Sequence, residues 1–108
     1  MKNIEFKELE VLNLSDNEIS DIKVLENVKF EKLKKLFLSL NKISDIKVLE
    51  NANFKELELL DLCHIEISDI KVLENVKFEK LKKLYLMCNN IENESIISNL
   101  KIKDAIEI

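Results

Sequence analysis

The sequence predicts an α/β solenoid, with a row of short parallel strands on one side and short helices or 3-10 turns on the other. Three observations lead there. Phe6, Phe30, Phe54 and Phe78 recur at a step of 24 residues, as do Leu9, Leu33, Leu57 and Leu81, and Leu14, Leu38, Leu62 and Leu86. The segment Ile-Ser-Asp-Ile-Lys-Val-Leu-Glu-Asn returns unchanged at 19–27, 43–51 and 67–75, with no insertion between copies. Within each unit the apolar spacing changes from two to three. So short a unit cannot bury its own apolar side chains, whereas stacked neighbours share one continuous core.

The strand comes first in each unit. Leu12-x-Leu14 alternates as a half-buried strand does, flanked by Leu9 and Ile19, and the pattern places strands near 9–17, 33–41, 57–65 and 81–89. All run in one direction, so the sheet is parallel, with neighbours about 4.8 Å apart. In the second half of the unit, Ile22, Leu25 and Val28 have the spacing of a short helix or 3-10 turn. Ser20 reads as its N-cap with Asp21 at the positive end, as do Ser44-Asp45 and Ser68-Asp69. Phe30 and its equivalents return the chain to the next strand. Gly, Pro and Arg are absent, so Asn, Asp and Ser are expected to make the turns.

The whole chain, 1–108, reads as one domain of about four units, ending in a degenerate unit over 92–108. There Glu92-Asn93-Glu94 replaces Ser-Asp-Ile, Ile96, Ile97 and Leu100 remain core-facing, and Ile102, Ala105 and Ile108 continue the Phe and Leu columns into a fifth strand. At the front, Lys2-Asn3-Ile4-Glu5 is already in phase with Glu26-Asn27-Val28-Lys29, and no polar capping segment precedes it. Solenoid ends need such caps, so two expectations stand: the chain is a fragment of a longer array, or the edge is covered by another copy through end-to-end or edge self-association.

Charge has a longer period. Units one and three read Lys-Glu-Leu-Glu (7–10, 55–58) and units two and four read Glu-Lys-Leu-Lys (31–34, 79–82). Stacking converts this into three ladders of alternating sign: Lys7/Glu31/Lys55/Glu79, Glu8/Lys32/Glu56/Lys80 and Glu10/Lys34/Glu58/Lys82. Identical units would set like charges side by side; alternation avoids that and penalises slippage by one unit.

The pattern Leu9-x-x-Leu12-x-Leu14-x-x-Asn17-x-Ile19 resembles the signature of leucine-rich repeats across nearly the whole chain. Its Ile-x-Asp-Ile continuation is similar to the regulatory subunits of protein phosphatase one and to the bacterial internalins. The resemblance implies a right-handed horseshoe with the strands on its concave face and the turns on its convex face. It also implies that Asn17, Asn41 and Asn89 hydrogen-bond backbone in adjoining turns; the third unit carries Ile65 there and is expected to lack that link.

The concave face is the family's usual binding surface, and its columns are the ones that vary. Column 11 reads Val11, Lys35, Leu59, Lys83; column 13 reads Asn13, Phe37, Asp61, Tyr85; column 15 ends in Cys63 and Met87; column 16 reads Asp16, Leu40, His64, Cys88. Phe37, Leu40, Leu59, Tyr85 and Met87 are expected to form an apolar patch fringed by Lys35, Asp61, His64 and Lys83, suited to another protein. Its plan area is roughly 300 Å², against about 800 Å² for a standard footprint, so binding by this face alone is expected to be weak. A structural or self-associating array without a dedicated ligand is the alternative.

Other classes are disfavoured. A net charge of −4 argues against a nucleic-acid surface, and no apolar run is long enough for a membrane span. With one His and no Gly, neither a catalytic constellation nor a nucleotide loop is assembled, so no catalytic residue, cofactor or metal is assigned. Cys63 and Cys88 sit one column apart and are expected to be free thiols, consistent with a cytoplasmic location and no secretion signal in these residues.

Overall fold

The computed structural model describes residues 4–108. Strands β1 (Ile4–Phe6), β2 (Val11–Asn13), β3 (Val28–Phe30), β4 (Lys35–Phe37), β5 (Leu59–Asp61), β6 (Lys83–Tyr85) and β7 (Ile106–Glu107) alternate with 3-10 turns η1 (Lys23–Asn27), η2 (Lys47–Glu50), η3 (Lys71–Glu74), η4 (Glu94–Asn99) and η5 (Lys103–Ala105). The main sheet is parallel, in the order β2-β4-β5-β6-β7. Leu12, Leu36, Leu60 and Leu84 are direct neighbours along it, so the step of 24 is also the register. Each strand ladder is only three residues long, shorter than the alternation implies. Backbone bonds nevertheless continue past it, from Leu14 N–H to Phe37 C=O (2.9 Å) and Asp16 N–H to Ser39 C=O (3.0 Å).

The core lies between this sheet and the 3-10 row. Leu36, Leu38, Leu60, Leu62, Leu84 and Leu86 of the strands are fully buried against Ile22, Leu25, Ile46, Leu49, Ile70 and Leu73 of the turns. A 3-10 turn has three residues per turn, so a spacing of three puts Ile46 and Leu49 on one side. Its i to i−3 bonds run from Leu25 to Ile22, Leu49 to Ile46 and Leu73 to Ile70, each 3.0 Å. Every helical element among the described residues is of this tighter kind. A file of aromatic rings, Phe6–Phe30–Phe54–Phe78, has centroids 5.7, 5.8 and 6.2 Å apart; Phe30, Phe54 and Phe78 are part of the core and Phe6 is exposed. Strands β1 and β3 pair beside it as a second, two-stranded parallel sheet.

Several expectations change at the turns. Ser20, Ser44 and Ser68 do not cap. The cap positions are Ile22, Ile46 and Ile70, without side-chain bonds. Asp21, Asp45 and Asp69 do the work instead, each accepting the N–H two residues on (Lys23, Lys47, Lys71) at 2.8–2.9 Å. That bond closes a local Asx turn, which a carboxylate reaches more readily than a hydroxyl. The sharp turn after each strand is not confined to Asn, Asp and Ser either. Its left-handed residue is Asp16, Leu40, His64 or Cys88, with φ of 57°, 58°, 51° and 61°.

The fifth strand exists, but in a different register. Ile106, not Ile108, pairs with Leu84, a step of 22 residues. η5 takes the chain back in fewer residues, leaving Ala105 buried and Ile108 52% exposed.

The charge ladders are broken into pairs. Lys32 reaches Glu8 (3.3 Å), Lys34 reaches Glu10 (3.7 Å), Lys80 reaches Glu56 (3.0 Å) and Lys82 reaches Glu58 (3.6 Å). Each bridge joins units one and two or units three and four; among the described residues none joins units two and three. In the Lys7 column, Glu31 instead faces Lys29 at 4.0 Å. A lysine between two glutamates closes on one at a time, and exposed pairs contribute about 0–1 kcal/mol. Register is therefore held mainly by the core.

The asparagines bridge units. Asn41 is the buried polar residue of the core, 3% exposed. Its Oδ1 accepts the N–H groups of Asn17 (3.0 Å) and Ile19 (2.9 Å), while its Nδ2 donates to the carbonyls of Leu14 (3.0 Å) and Leu38 (2.9 Å). Asn89 does the same for Ile65 and Ile67. Ile65 is buried without exposure where the second unit's equivalent donors face, and supplies no acceptor. Among the described residues, the Asn17 side chain bonds only within its own unit, to Leu14 and Ser15 carbonyls. Asn41→Ala strands two partly buried N–H groups and is expected to cost about 2–3 kcal/mol in urea unfolding. Asn17→Ala is expected to cost under about 1 kcal/mol; equal losses would contradict this division of labour.

Candidate functional site

The solvent face of the sheet collects the varied columns in rows. Register aligns Asn13, Phe37, Asp61, Tyr85 and Glu107 in one row, and Val11, Lys35, Leu59 and Lys83 in the next. Phe37, Leu59, Asp61 and Tyr85 are half-buried; Lys35, Leu40, His64, Lys83 and Met87 are exposed. The sheet thus brings Phe37 and Tyr85 to the same height, two strands apart, with Asp61 between them. Leu40 (53% exposed) and Met87 (38%) lie off the strand ends, at the rim. Leu40 is itself a left-handed residue, with φ of 58°, in the turn that follows β4.

Two candidates are partly committed elsewhere. Lys83 Nζ bonds Glu107 Oε2 at 2.9 Å, and this partner raises the Lys83 pKa. Asp61 Oδ1 accepts the Cys63 N–H at 3.0 Å, curling onto its own strand as Asn13 does toward Ser15. Sequence reasoning missed Glu107 because a two-residue contraction hides its alignment with Tyr85. It also passed over Val11, which is 51% exposed on this face. Only its variation within column 11 pointed there.

Cys63 and Cys88 are both free, Cys63 half-buried and Cys88 exposed. Burial, followed by the hydrogen bond to the Asp61 carboxylate and its charge, pushes the Cys63 thiol up to about 11. At neutral pH such a thiol is expected to be protonated and slow to react. His64 and Cys88 border a shallow groove of about 370 Å³ with Glu66, Ser68 and Asn90. Among the described residues, no three His, Cys, Asp or Glu side chains stand close enough to share an ion.

In the main sheet, parallel strands, one per unit, with 3-10 returns and bridging asparagines define the architecture. A family model described as two copies of leucine-rich repeats matches residues 7–51, and a single leucine-rich repeat model matches residues 79–98. The chain is a leucine-rich-repeat solenoid. No curated protein sequence matches it. Leucine-rich-repeat domains generally serve as protein-interaction scaffolds and are typically non-enzymatic. No helix among the described residues of this solenoid is long and apolar enough to cross a membrane.

Two outcomes test this description. Leu40 holds a conformation that costs a non-glycine residue about 1–2 kcal/mol, and asparagine adopts it more readily. Leu40→Asn is therefore expected to stabilise the chain by about 0.5–1 kcal/mol, and a lowered unfolding midpoint would contradict the assigned geometry. With a maleimide probe at pH 7, Cys88 is expected to label at least tenfold faster than Cys63. Since thiolate is the reactive form, Cys63 labelling is expected to accelerate as pH rises toward its raised pKa. Equal rates at pH 7 would refute the buried, acid-shielded thiol.

Proposed function

We propose that this solenoid is a non-enzymatic scaffold that binds another protein on the concave sheet face, through Phe37, Leu40, Leu59, Tyr85 and Met87 with Lys35, Asp61, His64 and Lys83 around them. The observation that carries this reading is the segregation of variation. Core columns repeat the same residue from unit to unit, while the face columns change chemistry at each step and carry aromatic rings at the same height on β4 and β6. Half-exposed aromatic rings beside charged groups are the usual anchor of a protein interface.

The similarity of the Ile-x-Asp-Ile element to the protein phosphatase one regulatory subunits and the internalins supports a protein as the ligand, with a phosphatase-regulatory or host-ligand role at the level of the family alone. The two free thiols suit a reducing compartment, and a cytoplasmic location is proposed on that basis.

Charge at the two rings tests the reading. Phe37→Glu and Tyr85→Glu, singly and together, are expected to leave far-UV circular dichroism unchanged. They are expected to reduce partner capture from source lysate by at least tenfold. Undiminished capture by the folded double variant would remove the basis for this face as the site.

A further inference from the structure

We propose that the concave face carries a site for a guanidinium: the slot over Asp61, between the rings of Phe37 and Tyr85, receives an arginine side chain of the partner protein. The inference rests on that face being the binding surface and names the chemistry it selects.

The backbone builds the slot. Phe37, Asp61 and Tyr85 are direct partners across β4, β5 and β6, so they stand at one height on three successive strands. Neighbouring strands lie about 4.8 Å apart, which sets the two ring columns about 10 Å from each other with the carboxylate midway. All three side chains are half-buried. Leu59, two residues before Asp61 on the same face of β5, adds apolar surface beside it. A cation held over Asp61 lies about 5 Å from either ring column, inside the range of about 6 Å over which ring faces attract cations.

The scaffold does not account for the charge. Asp61 Oδ1 accepts the Cys63 N–H at 3.0 Å, and in the same column Asn13 Oδ1 accepts the Ser15 N–H at 3.0 Å, so an uncharged amide suffices for that turn. Aspartate adds a negative charge and a second acceptor oxygen. The Cys63 thiol also hydrogen-bonds this carboxylate, but a neutral donor leaves the charge in place. Lys83 is held by Glu107 at 2.9 Å, and among the described residues neither Lys35 nor any other cation pairs with Asp61. The rings are equally uncommitted. The ring stack of this chain runs through Phe6, Phe30, Phe54 and Phe78; among the described residues, Phe37 and Tyr85 join no other ring and hold no cation.

Two rings and a carboxylate attract any cation, and the geometry favours the guanidinium. It is flat enough to lie on a ring face while its forked N–H groups reach the carboxylate. It is also less strongly hydrated than an ammonium, so a half-buried slot strips its water more easily. A neutral or acidic side chain would cover Asp61 without pairing it. The sequence contains no Arg, so a second copy of these residues supplies none.

Tyr85 is the one tyrosine and tryptophan is absent, so intrinsic fluorescence reports from this slot alone. The full chain is titrated at constant ionic strength with the Nα-acetyl amides of arginine, lysine and citrulline, the last a neutral isostere of arginine. Tyr85 emission and the NMR amide shifts of Phe37, Asp61 and Tyr85 are followed. Arginine is expected to move all of them, binding at least threefold more tightly than lysine and at least tenfold more tightly than citrulline. Asp61→Asn keeps the turn as Asn13 does, and is expected to weaken arginine at least fivefold at unchanged circular dichroism. Glu74→Gln removes an equal charge from an exposed position on the turn row, and is expected to change the affinity less than twofold. Phe37→Leu leaves the carboxylate in place and is expected to weaken arginine at least threefold, which keeps the test open if Asp61→Asn folds poorly. Equal affinity for citrulline, tighter binding of lysine, indifference to the slot variant that folds, or shifts confined to other residues would overturn the proposal. So would ligand-free shifts at these residues that follow protein concentration, which would place a second copy on the face. If the glutamate substitutions at Phe37 and Tyr85 abolish partner capture while arginine leaves the slot unmoved, the face stands as the binding surface and this assignment alone falls. Capture that survives those substitutions removes both.

Discussion

Each unit's leucines complete their burial against the units on either side, so stability is generated largely at junctions between repeats. Leu36, Leu60 and Leu84 stack at one height because the units between β4 and β6 spend the same number of residues between strands. An extra residue in one return would turn the next strand's leucines out of the column. Everything else on the molecule inherits its position from that lateral register. The asparagine bridges span units only because residues a full repeat apart are neighbours, and the face columns form rows for the same reason.

This constraint explains which interactions carry weight. Ion pairs across the junctions form in some places and not others, without disturbing the sheet. Buried bridges behave differently: Asn41 reads backbone in two units at once and leaves no buried side-chain polar atom unpaired. The replacement at Ile65 shows that one junction can forgo this link when an apolar side chain fills the space. The last unit uses another device. Asn93 stands where the earlier units have Asp. It donates to Asp69 at 2.8 Å and accepts from the Ile70 N–H at 3.1 Å, so two like charges do not meet at the end of the turn row. The Lys71 N–H, followed by that Asn93 donor, holds the Asp69 carboxyl below its ordinary range.

Much of this was legible because insertions are absent. Column membership, parallel direction, the buried leucines and the varied face all follow from the step of 24. What escaped was local and chain-geometric. Ser20 and Asp21 are adjacent and both suit turns, and only the backbone path shows that the aspartate closes the turn. Leu40 and Cys88 in left-handed geometry have no compositional mark, because the glycine that normally signals such a residue is missing. The shortened step to β7 was hidden since Ile102, Ala105 and Ile108 happen to preserve an apolar pattern at the longer spacing. Of the candidate face, the positions of Phe37 and Tyr85 were readable from register. The engagement of Lys83 by Glu107 and of Asp61 by Cys63 depended on those hidden turns.

Lateral register is most directly measured by NMR scalar couplings transmitted through the hydrogen bonds themselves. Couplings are expected from the Leu38 amide nitrogen to the Asp61 carbonyl carbon and from the Leu62 nitrogen to the Tyr85 carbonyl carbon, matching bonds of 2.9 Å in each case. Couplings joining other residue pairs, or a reciprocal pattern of antiparallel strands, would contradict the stacked-column account at its root.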